Sequence, residues 1–74
     1  MSPAMERYQA ILAAAKNLVA AQKATEKAGA ARHALPPGST RARVTTANAR
    51  WASQAEERDR CEAALVTLVN GGPR

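Results

Sequence analysis

The run Leu35-Pro36-Pro37-Gly38-Ser39 constrains this chain more than any other feature. It separates two arms of about thirty residues that carry helix-favouring residues and no interior proline. Two long helices joined by a tight turn over residues 35–39 follow. Ser2 can cap the first helix with Pro3 at its first position, because proline's missing N–H falls among donors that have no helical partner. Pro36 excludes Leu35 from the α region and ends that helix near Ala34. Ser39 or Thr40 can cap the second helix, and Gly71, Gly72 and Pro73 stop it after Asn70. The expected fold is all-α: an antiparallel two-helix hairpin with helices over about 3–34 and 40–70, and a short flexible tail at 71–74. At 1.5 Å per residue each arm is roughly 45 Å long.

Apolar periodicity agrees. Tyr8, Ile11, Leu12, Ala15, Leu18 and Val19 recur at helical gaps of three and four, and the same face continues through Ala21, Ala24, Ala28 and Ala31 to Leu35. The second arm reads as a heptad through Val44, Ala47, Trp51, Gln54 or Ala55, Arg58, Cys61, Leu65 and Leu68. A hairpin symmetric about residues 37 and 38 sets residue i opposite residue 75 minus i. Trp51 then faces Ala24, Leu65 and Leu68 meet Ile11 and Tyr8, and Lys16 comes near Asp59. Arg58, at a core heptad position, is expected to lay its stem along the seam and pair with Glu62 one turn on.

The whole chain, 1–74, is one small domain. Nineteen of its 74 residues are alanine and only Trp51 and Tyr8 are aromatic, so little bulk is available for a core. Ordering each residue costs about 1.5 kcal/mol, which a core of short side chains struggles to offset alone. Leu12, Val19, Val66 and Val69 lie beside the stripes and widen the apolar faces beyond what one neighbouring helix covers. Together with Cys61 and Leu65 they are the expected interface. Two hairpins packing these faces make an antiparallel four-helix bundle, the partner being a second copy of the chain or a different protein.

Charge is unevenly spread. Eleven Lys and Arg stand against six Asp and Glu, a formal net charge of +5. Residues 27–50 hold Lys27, Arg32, Arg41, Arg43 and Arg50 and no acidic side chain, whereas Glu56, Glu57, Asp59 and Glu62 cluster further on. Lys27 and Arg32 near a helix end complement its dipole. Arg41 and Arg43 in the first turn of the second helix oppose the local dipole, a conflict that points to function. These five residues are the candidate polyanion site, able to contact the phosphate backbone of DNA or RNA. Aromatic residues for base stacking are missing from that end, and His33 is expected to be exposed without a role.

No chemistry-bearing motif stands out. A single cysteine excludes an internal disulfide, and one histidine leaves no basis for a metal cluster or a catalytic triad. Glu57 and Glu62 disfavour a reactive thiolate at Cys61. No cofactor, metal or catalytic residue is expected. The longest apolar run, Ala10 to Ala15, is far short of the ~20 residues of a membrane span, and Glu6 and Arg7 do not suit a secretory signal. A cytoplasmic, non-enzymatic interaction or regulatory module is the expectation, with nucleic-acid backbone binding as the alternative.

Overall fold

A computed structural model describes residues Ser2 to Gly71 and contains two helices, α1 (Pro3–His33) and α2 (Arg41–Val69), packed on each other as an antiparallel hairpin with extents of 58 × 20 × 14 Å. Both starts follow from local chemistry. The Ser2 hydroxyl accepts from the Met5 N–H at 3.2 Å with Pro3 in the first helical position, and the Thr40 hydroxyl accepts from the Arg43 N–H at 3.2 Å. Thr40 is therefore the cap, while Ser39 folds back and donates both its N–H and its hydroxyl to the Pro36 carbonyl. Gly38 turns the chain with φ of +83°, and Gly71 ends α2 with φ of +96°, its N–H donating to the Leu68 carbonyl. Of the expected tail, residues 72–74 lie outside the described residues.

The two helices meet along 3.5-residue seams. On α1 the seam runs through Ile11, Ala14, Leu18, Ala21, Thr25, Ala28 and Arg32, all buried or half-buried and continued by Leu35 in the turn, at alternating gaps of three and four, with Ala15, Ala24 and Gly29 half-buried at its edges. On α2 it runs through Ala47, Trp51, Gln54, Arg58, Cys61, Leu65 and Leu68, as the heptad predicts, with Ala55 half-buried beside Gln54. Val44, first in that heptad, is 38% exposed.

The single apolar face expected on α1 divides into two stripes. Ile11 and Leu18 enter the seam, whereas Tyr8, Leu12 and Val19 turn outward, Tyr8 being 60% exposed. One neighbouring helix covers only a narrow stripe, so the wider apolar face is split. Arg7 takes the place expected of Tyr8. Its guanidinium donates to the Leu68 and Val69 carbonyls at 3.2 and 3.0 Å, closing the C-terminal end of α2 where unpaired carbonyls concentrate negative charge.

The register also departs from mirror symmetry. Trp51 does not face Ala24: a Cβ built on Gly29 would lie 3.4 Å from the edge of its indole, and Thr25 reaches the Gln54 carbonyl at 3.1 Å. Leu35 shares a cleft with Ala42, Thr46 and Ala47, so the start of α2 runs beside the connection and the pairing slides by about one turn. Two expected ion pairs fail for that reason and for local geometry. Asp59 moves away from Lys16 and accepts instead from Arg58 at 3.4 Å, and Arg58 consequently does not pair with Glu62. Among the described residues, the ion pairs are Arg58 with Asp59 and Arg60 with Glu57, both within α2.

Small side chains make the contact close and the core thin. Among the described residues the buried ones are Ala21, Thr25 and Ala28, and no large side chain is fully buried. The single Thr25 hydroxyl proton is shared between the Ala21 carbonyl at 2.8 Å on its own helix and the Gln54 carbonyl across the seam. Thr25→Val keeps the shape and removes the hydroxyl that donates to Gln54, so thermal unfolding should show a loss of about 1 kcal/mol. Gly29→Ala should act in the opposite direction by up to about 1 kcal/mol, because the added methyl meets Trp51 at ordinary contact distance while helix propensity improves.

Candidate functional site

The hairpin presents two flanks, and heptad spacing assigns residues to each. One flank contains clefts lined by Ala24, Lys27, Ala28, Ala31, Arg43, Ala47 and Arg50, and farther from the turn by Asn17, Ala20 and Glu57. The opposite flank contains a cleft lined by Gln22, Glu26, Gly29 and Trp51. Side chains three, four and seven residues away fall on the same sides.

By that spacing Met5, Tyr8, Leu12 and Val19 continue the Gln22 flank of α1, and Val66 and Val69 occupy the matching flank of α2. All six are exposed, at 38–60% of their surface. Antiparallel pairing gathers them at the open end of the hairpin, with Leu12 level with the Val66 turn. Of the six residues expected at an interface, Leu12, Val19, Val66 and Val69 belong to this face. Cys61 and Leu65 sit half-buried in the seam between α1 and α2. Met5 was missed because no heptad partner precedes it; the stripe Met5, Tyr8, Leu12, Ala15, Val19 shows it once separated from the seam.

The five candidate polyanion residues are divided. Lys27, Arg43 and Arg50 share the alanine-lined flank at the turn end. Arg32 crosses the other flank, its guanidinium 4.5 Å from the centre of the Trp51 ring, where attraction to the π face holds it. Arg41, two residues from Arg43 on a helix, points away from Arg43's flank and is exposed, as is His33. Trp51 is half-buried between Gly29 and Arg32, so it serves the helix contact with one edge and the arginine with a face.

Three neighbouring groups on α2, Glu57, Arg60 and Cys61, are shifted electrostatically. A hydrogen bond and the charge of Arg60 hold the Glu57 carboxyl below its ordinary value, and Glu57 raises the Arg60 guanidinium in return. Desolvation in the seam, followed by the Glu57 charge and the 3.7 Å hydrogen bond that the thiol donates to it, pushes Cys61 up. At neutral pH the thiol form is thus favoured over the nucleophilic thiolate, as the sequence suggests. No cluster of three or more His, Cys, Asp or Glu side chains able to hold a metal occurs among the described residues, and no helix is long and apolar enough to cross a membrane.

No family model matches this sequence, and neither a curated protein nor a solved structure is significantly similar to it. Iodoacetamide should alkylate Cys61 more slowly than a free thiol at pH 8, with the midpoint of its pH–rate profile displaced upward; a rate equal to the free thiol would show that neither the seam nor Glu57 restrains it.

Proposed function

We propose that this chain is a non-enzymatic helical interaction module whose first partner is a second copy of itself. Two hairpins pair through the face of Met5, Tyr8, Leu12, Val19, Val66 and Val69 and form an antiparallel four-helix bundle. The observation that carries this reading is the contrast between that face and the core. Six large apolar side chains lie exposed on one flank while, among the described residues, only Ala21, Thr25 and Ala28 are buried.

Magnitudes support self-pairing. The six side chains expose roughly 500 Å², at the upper end of what monomeric proteins leave in one apolar patch. Two such faces bury about 1,000 Å², near the lower limit for a specific interface. An isologous pair also satisfies the shortage economically, since the same flank covers itself. Dispersal of the carboxylates along exposed helix surface, with Glu57 and Asp59 engaged by arginines, favours a binding role over a catalytic one.

The alternative, contact with nucleic-acid phosphates at the turn end, draws on the exposure of Lys27, Arg41, Arg43 and Arg50. Division of those cations between opposite flanks, with Arg32 held over Trp51, favours the protein-interaction reading.

Light scattering should return the mass of two chains, with a melting temperature that rises with protein concentration. Leu12→Glu combined with Val66→Glu should give single chains of markedly lower melting temperature, because both charges fall inside the paired face. Cooperative unfolding of the unaltered chain as a monomer, independent of concentration, would reject self-pairing.

A further inference from the structure

We propose that the cleft at the turn end is a docking site for an acidic amphipathic helix of a partner protein. The cleft is about 360 Å³, and its floor is Ala28, Ala31, Leu35, Ala42 and Ala47. A second recess of about 280 Å³ continues it past Ala24 and Gln54, sharing Ala28, Ala31 and Arg50.

Charge and surface character together select the occupant. Lys27 on α1 and Arg43 and Arg50 on α2 border this trough, and no acidic side chain lines it. None of the three lies within ion-pair distance of a carboxylate among the described residues. Arg43 and Arg50 are seven residues apart on one helix, about 10.5 Å along its axis. A third helix lying in the trough presents carboxylates at that same i, i+7 repeat, with a further one across the groove for Lys27. The small residues of the floor let its backbone approach closely, and the apolar side chains between its carboxylates meet Leu35 and the alanines. A phosphate backbone satisfies the cations but leaves the apolar floor facing a charged surface, so an acidic helix matches both features and duplex nucleic acid matches one.

The trough stays open whether or not two hairpins pair, because it lies on the flank opposite Leu12, Val19, Val66 and Val69. In a paired assembly each copy keeps its own trough, giving a bivalent adaptor.

Fluorescence anisotropy on the full chain tests this with three labelled probes: a helical peptide of about 18 residues with leucines at gaps of three and four flanked by glutamates, the same peptide with lysines in place of glutamates, and a duplex DNA of about 20 base pairs. Saturable binding of the glutamate peptide, and none of the lysine peptide, is expected. Affinity should fall at least about tenfold in Arg43→Gln with Arg50→Gln, and separately in Ala31→Gln, which obstructs the floor; all three positions are exposed, and far-UV spectra confirm their fold. Leu12→Glu with Val66→Glu should leave peptide affinity per folded chain unchanged, separating this site from the self-pairing face. No binding of the glutamate peptide, equal binding of the lysine peptide, or unchanged affinity in either trough variant overturns the proposal. So does duplex DNA that displaces the peptide and binds more tightly, or growth of the chain beyond a dimer that the peptide blocks, which would make a second copy the occupant. The comparison of the two peptides uses the unaltered chain and decides the matter even if a variant misfolds.

Discussion

An α-helix can offer only one narrow stripe to a single neighbour, and this hairpin fills that stripe with small residues. Ala21, Thr25 and Ala28 on α1 let the backbones approach, and the larger Ile11, Leu18, Leu65 and Leu68 are only half-buried toward the open end. A methyl group contributes little transfer free energy, so the seam specifies geometry better than it supplies stability. The exposed apolar flank and the open trough are both consequences: each is surface that two helices in contact cannot reach.

Polar contacts then fix which residues meet. A seam of alanines is nearly uniform along its length and would tolerate sliding. Thr25 reaching the Gln54 carbonyl, Trp51 lying on Gly29, and Arg7 closing the end of α2 break that uniformity at three levels of the hairpin. Each joins a side chain to backbone or to the one helical position lacking a side chain, which makes the fit specific to one register. The same contacts decide the fate of the cations. Arg32 is drawn over the Trp51 face, and the register that places it there leaves Lys27, Arg43 and Arg50 together on the other flank.

The molecule thus has two sides of different character. One is apolar, carries valines, a leucine, a methionine and a tyrosine, and suits a copy of itself. The other is shallow, floored by alanine and bordered by cations, and suits a helix of opposite charge. In the proposed pairing the chain would gain a stable frame and still keep a free surface for a second partner.

Sequence by itself determined the two helices, their limits to within a residue and the heptad of α2, because proline, glycine and hydroxyl caps act on neighbouring backbone and need nothing from the rest of the chain. It also marked Leu12, Val19, Val66 and Val69 as surplus apolar surface. The seam of α1 was less legible: with alanine at so many positions, Ala14 and Ala21 in the seam do not stand out from Ala15 on one side of it or Ala24 on the other. Only the tertiary structure decided that Trp51 meets Gly29, that Arg7 displaces Tyr8, and that the five basic residues divide between two flanks. Those outcomes depend on how far one helix slides and turns against the other, which is set by contacts between residues distant in the chain and by the path of the seven residues that connect them.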